Sequence, residues 1–113
     1  MHKVGDIILT PFPFTDLSGD KVRPALVLGA QYGNNDVTVC FISSILQNKI
    51  HKFEVLIDFK DKYFLKTGLK LNSVVKVVKI ATLDKMVILG KIGELDKETI
   101  RRVKNVLKIY FKL

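Results

Sequence analysis

Residues 5–30 read GDIILTPFPFTDLSGDKVRPALVLGA, two apolar runs held apart by a polar stretch with one arginine, Arg23. Ile7 to Thr10 and Ala25 to Leu28 are rich in β-branched and aliphatic side chains. Pro11, Pro13, Asp16, Ser18, Gly19 and Asp20 between them break any regular pattern. The segment therefore reads as strand, long loop, strand. Generic hairpins use about two to five loop residues, and longer connections in compact domains are more often functional than structural. Function is expected around this loop and the arginine that closes it.

Working outward, strand-like runs recur at Asp6 to Thr10, Val22 to Leu28, Val37 to Ser43, Phe53 to Ile57, Ser73 to Thr82 and Met86 to Glu94. Gly33-Asn34-Asn35-Asp36 supplies the turn between the second and third, because Gly and Asn tolerate positive φ at little cost. Gly90 and Gly93 interrupt the sixth run and predict a bulge or sharp bend there. Many short strands with no helices between them predict an antiparallel sheet curled into a small barrel. The last seventeen residues change period. Asp96 is a good N-cap, and Ile100, Val103, Val106, Leu107, Tyr110 and Phe111 form one face, with Arg101, Arg102, Lys104, Asn105 and Lys108 on the other. That is a C-terminal amphipathic helix whose apolar stripe is expected to lie on the barrel. Asp58 to Asn72 interleaves Phe59, Tyr63, Phe64 and Leu65 with lysines. Such a segment either stacks bases and holds phosphates or plugs the barrel end with its aromatics, and the plug is the expectation favoured here.

The length of 113 residues fits one domain over 1–113. A chain of this size buries roughly two-thirds of its extended surface, enough for a core without disulfide or metal. Its one cysteine, Cys40, lies inside the apolar run Val37 to Ile42 and is expected to be a buried core residue. The net charge of +8, from 19 Lys and Arg against 11 Asp and Glu, attracts polyanions such as RNA. It serves solubility equally well, and charge alone leaves the two readings open. No segment approaches the ~20 apolar residues of a membrane helix, and Met1 to Asp6 lacks a signal-peptide core, so a cytoplasmic protein with no membrane partner is expected.

Several chemistries are set aside by their missing residues. The sequence has no HExxH, no Cys/His cluster and no glycine-rich phosphate loop, and His2 and His51 have no visible triad partner. No metal and no cofactor are implied.

Six stretches also carry a resemblance. They are Gly5-Asp6-Ile7-Ile8-Leu9, Pro11 to Asp16, Lys21-Val22-Arg23-Pro24-Ala25-Leu26-Val27-Leu28, Phe41-Ile42-Ser43-Ser44, Gly68 to Lys76, and Ala81-Thr82-Leu83-Asp84. In order and spacing the chain resembles the MazF/PemK family of toxin endoribonucleases. The resemblance implies a mainly β fold, a small SH3-like antiparallel barrel with a C-terminal helix, shared in architecture with CcdB toxins. It implies a type II toxin that cleaves single-stranded RNA without metal, a symmetric homodimer, and a cognate antitoxin protein that blocks the RNA groove.

Site residues follow from the same resemblance. Arg23-Pro24 matches the family's arginine-proline pair, whose arginine is catalytic. A guanidinium is always charged and clamps two phosphate oxygens in one plane, and Pro24 biases Arg23 toward an extended conformation. Ser43 takes the third-strand position where the family usually has threonine; it keeps the hydroxyl and loses the methyl, with Ser44 as competitor. Thr15 and Asp16 fall in the first loop, which the family places over the active site; Asp16 either serves the substrate or caps a turn. Asp6 is expected to be structural, tying the start of the first strand to a backbone amide. On the fifth strand, where some members carry arginine, aspartate and a glutamine-x-arginine, this chain reads Lys76, Val78, Lys79 and Ala81. Lys76 and Lys79 keep positive charge for phosphate without the bidentate fork. These departures leave two alternatives: a CcdB-like toxin that binds DNA gyrase, or a decayed module that binds RNA or antitoxin without cutting.

Overall fold

The computed structural model describes residues 2–11, 21–44 and 49–113. Six strands, β1 (Asp6–Pro11), β2 (Val22–Gly29), β3 (Asp36–Ser43), β4 (Glu54–Ile57), β5 (Ser73–Asp84) and β6 (Gly90–Glu94), precede one helix, α1 (Lys97–Phe111). All neighbouring strands pair antiparallel in the order β4-β5-β3-β2-β1-β6. The two ends of this order do not pair with each other, so the sheet curls into a half-barrel, the expected mainly β architecture with its C-terminal helix.

Alternating side chains bury both faces of the central strands. Ile7, Leu26, Cys40, Ile42, Val75 and Val77 build one cluster, capped by Val103 of α1 and by Phe64. Ile8, Ala25, Val27, Val37, Val39 and Phe41 build the other. Two apolar faces explain why β2 and β3 read as nearly continuous hydrophobic runs rather than as strict alternation. Cys40 is fully buried as expected, and burial pushes its thiol up to about 12.

The helix begins where its cap residue predicts. Asp96 accepts from the Thr99 amide at 3.1 Å and from the Thr99 hydroxyl at 2.7 Å. Ile100, Val106 and Leu107 pack against the core around buried Val103. The expected apolar stripe is nonetheless too long for its support: Tyr110 and Phe111 remain 44% and 52% exposed. Tyr110 rests edge-on against Phe53 instead, with ring centroids 5.0 Å apart.

The sixth expected strand, Met86 to Glu94, is also shorter than its sequence suggests. The Asp84 carboxylate accepts from the Met86 amide at 2.9 Å, and the Ile88 amide donates to the Lys85 carbonyl at 3.1 Å. Together they wind Lys85–Val87 into a 3-10 turn, and the strand starts only at Gly90. The expected bulge is present. Ile7 pairs with Gly93 and Ile8 with Lys91, so Ile92 is the extra residue. Asp6 is buried at the foot of β1 and accepts from the Lys3 amide at 3.1 Å, the structural role expected of it. Its Oδ1 faces the Lys91 ammonium at 3.2 Å, off hydrogen-bond alignment.

The segment 58–72 is a chain of tight turns rather than an open loop. Amides of Asp61, Phe64, Lys66 and Gly68 donate to the carbonyls of Asp58, Asp61, Tyr63 and Leu65. Phe64 plugs the core at 8% exposure, but Phe59 and Tyr63 stay 56% and 38% exposed. The barrel-plug expectation therefore holds for Phe64 and fails for the other two rings. The segment packs backbone to backbone on β6. A Cβ at Gly93 would collide with the Lys66 and Thr67 carbonyl groups, and one at Gly68, which has φ +73°, would collide with the Ile92 carbonyl.

Candidate active site on one face of the sheet

Register places the site. Thr10 of β1 pairs with Arg23 of β2, and Ala25 of β2 pairs with Phe41 of β3. That second ladder ends at Ala25–Phe41, and two residues beyond it lie Arg23 on β2 and Ser43 on β3. Opposed residues in an antiparallel sheet share a face. Thr10, Arg23 and Ser43 thus lie two residues beyond Ile8, Ala25 and Phe41, at the end of the second apolar cluster and on its face. Arg23 and Ser43 are half-buried, and each is held by further interactions. The Arg23 backbone starts β2 under the restriction of Pro24, so the cation rises from a rigid strand rather than from a loop.

The same face continues across β5 and β4. Lys76 pairs with Phe41 on one side and with Glu54 on the other. Its ammonium lies 4.0 Å from Glu54 Oε2, with the two side chains 31% and 24% exposed. Glu54 Oε1 also accepts from the His51 amide at 3.0 Å. Lys76 therefore lies on this face, with part of its charge answered by a carboxylate. Glu54 and buried Thr10 are the residues that sequence reasoning missed. Thr10 reaches the Pro11 and Val87 carbonyls at 3.4 and 3.5 Å. Glu54 had one faint signal, as a carboxylate opening an otherwise apolar strand.

The other expected site residues fall elsewhere. Ser44 is exposed one residue beyond the end of β3. Between Lys76 and Ile80, β5 skips three residues relative to β3, and exposed Lys79 sits in that skipped stretch, opposite no residue of β3. Thr15 and Asp16 lie outside the described residues. A hollow of about 960 Å³ opens at the far end of β2, lined by His2, Lys3, Leu28, Tyr32, Asn34 and Lys85. It lies at the opposite end of β2 from Arg23, so the register, not the cavity, marks the candidate site. Among the described residues, no three His, Cys, Asp or Glu side chains are grouped to hold a metal. Nor is any helix long and apolar enough to cross a membrane.

Chemically, this face carries a guanidinium and a hydroxyl on neighbouring strands at the end of an apolar cluster. A guanidinium so placed stabilises charge that builds on a phosphorus centre.

A family model described as PemK-like, MazF-like toxin of type II toxin-antitoxin system matches residues 3–111. No curated protein matches the sequence. Among solved structures, toxin MazF-mt6 of Mycobacterium tuberculosis is 22% identical, with a TM-score of 0.73 over 96% of this chain and 97% of that one. MazF of Deinococcus radiodurans is 20% identical, with a TM-score of 0.74 over 99% and 97%. A mycobacterial endoribonuclease in complex with its cognate antitoxin is 18% identical, with a TM-score of 0.73 over 100% and 97%. At these identities the likeness is one of fold.

Proposed function

Because the chain belongs to the PemK-like, MazF-like family of type II toxin-antitoxin toxins, we propose that it is an endoribonuclease that cuts single-stranded RNA without a metal. The 2′-hydroxyl of the RNA attacks the adjacent phosphorus, its proton passes to a base, and the phosphorus–5′-oxygen bond breaks as that oxygen takes up a proton. The products are a 2′,3′-cyclic phosphate and a 5′-hydroxyl. Arg23 binds the non-bridging oxygens and stabilises the added charge of the transition state. Ser43, on the neighbouring strand, donates a hydrogen bond to the same phosphate. Lys76 holds a neighbouring phosphate on the same face, and Lys79, Ser44, Thr15 and Asp16 meet the substrate only where it runs beyond that row. The chain acts as a homodimer in the cytoplasm and is held silent by a cognate antitoxin; one neighbour in fold was solved with its antitoxin.

The observation that supports this reading is the Thr10–Arg23 pairing at the end of the second apolar cluster, with Ser43 two residues past Phe41 on the neighbouring strand. The test is cleavage of a long mixed-sequence RNA in excess EDTA. The parent should cut at defined positions, and Arg23→Ala should lower the rate by about 10²- to 10³-fold, the usual cost of removing one transition-state donor. Equal cutting by both would remove Arg23 from the mechanism. The Glu54–Lys76 pair favours a second reading, because it offsets a cation where some relatives carry arginine: a module that binds RNA without cutting it. Retention of uncut RNA by the parent would select that reading.

A further inference from the structure

Three strands across the sheet from Arg23, segment 58–72 follows β4 and exposes the two rings that the core did not take. The row that runs Arg23, Ser43, Val74, Leu56 crosses three strand spacings, roughly 14 Å along the sheet. Chain direction in β4 matches that in β3, so Phe59 emerges just beyond β4 at the same end of the sheet as Ser43. Each exposed ring carries lysine. Lys60 Nζ lies 5.9 Å from the Phe59 centroid, and Lys62 and Lys66 lie 5.1 and 5.9 Å from that of Tyr63. The segment holds four lysines against two aspartates. Both aspartates are used to fold it, Asp58 accepting from the Lys60 amide at 2.9 Å and Asp61 from the Tyr63 amide at 2.8 Å. The Phe59 amide is fixed to Asn72 Oδ1 at 2.6 Å.

We propose that Phe59 and Tyr63, with Lys60, Lys62 and Lys66, form a second RNA-binding site that stacks bases flanking the cut and draws their phosphates to the lysines. The inference rests on the RNA substrate named above and adds where that substrate continues. Large aromatic rings left in water at two positions of a rigidly bonded segment give up the hydrophobic gain of burial. Base stacking recovers that gain, and it is tolerant of sequence because every base has a π-face. The turns that fasten the segment to itself and to β6 mean that little ordering remains to be done on binding. Lysines that rest over the rings in the free protein can swing to phosphate while their stems continue to cover the ring edges.

The test is binding of a 2′-O-methyl single-stranded oligonucleotide, which lacks the nucleophile and so reports affinity independently of cutting. Phe59→Ala and Tyr63→Ala should each weaken binding about ten-fold, Phe59→Tyr and Tyr63→Phe should restore it, and melting temperatures should stay near the parent's because both rings are exposed. Cleavage of a minimal RNA that covers only the cut should be unchanged in all four variants. Alanine variants that bind the long oligonucleotide as the parent does would overturn the platform while leaving the nuclease reading intact. Loss of affinity for an acidic peptide with no loss for RNA would also overturn it, assigning the patch to a protein partner. A parent that binds RNA through these rings yet never cuts would uphold the platform and remove the nuclease.

Discussion

In the proposed reaction Arg23 would act through shape as much as charge. Its planar fork matches two phosphate oxygens, whereas an ammonium offers one point of charge. Arg23→Lys should therefore behave much more like Arg23→Ala in turnover than in RNA affinity: cleavage falls about 10²-fold while binding at low salt changes by only a few-fold. Comparable losses in both would show a purely electrostatic role. The place of Arg23 at the start of β2 was legible in the sequence because Arg23-Pro24 is a local word that needs no long-range information. Glu54 was not. Its ion pair with Lys76 depends on the register between β4 and β5, which local patterning does not fix. Lys79 shows the converse limit: it reads like Lys76 along the chain, but the three skipped residues of β5 take it out of the row.

Strands were legible to within a residue or two at most ends because apolar runs and turn residues alternate clearly along the chain. Met86 to Leu89 was the exception, since the Asp84 side chain captures the Met86 amide and diverts an apolar run into a turn. Helix α1 was anchored by Asp96, whose burial raises its pKa but is outweighed by hydrogen bonds from Thr99, leaving it below the ordinary value. At the end of β6, Glu94 is likewise held low, first by the hydrogen bond from Lys91 and then by Lys3. A depressed carboxylate stabilises the fold above its unfolded pKa, near 4, and that contribution is lost as pH falls through the lower native value. Asp96→Ala should cost about 1 kcal/mol in urea unfolding at pH 7, with the gap from the parent narrowing below about pH 4; a gap constant with pH would mean that the cap charge contributes nothing. Gly93 is constrained by contact rather than by dihedral, as the turns of 64–67 lie directly on it. Gly93→Ala should cost about 2 kcal/mol or more through overpacking, and an unchanged melting temperature would show that the segment lifts from β6 at no cost.

Across the molecule, one end of the sheet gathers the residues that the proposed chemistry uses. The second apolar cluster ends in Arg23 and Ser43, Lys76 and Glu54 extend the same face, and the lysine-bearing rings of 58–72 lie beyond β4. Architecture could be anticipated because both the β pattern and the family motifs span most of the chain. The placement of Phe59 and Tyr63 could not, since only packing decides that Phe64, and not its neighbours, enters the core. In the proposed function, the net charge of +8 draws RNA toward a face where Arg23 selects one phosphate. What makes that phosphate cleavable in the present account is the RNA's own 2′-hydroxyl. The most direct test is an RNA carrying a single 2′-deoxy nucleotide at a mapped cut, incubated with the parent protein in EDTA. Cutting should vanish at that position alone, while other sites in the same strand still yield 2′,3′-cyclic phosphate ends. Continued cutting at the deoxy position would contradict the mechanism, because it would require a nucleophile other than the substrate's own hydroxyl.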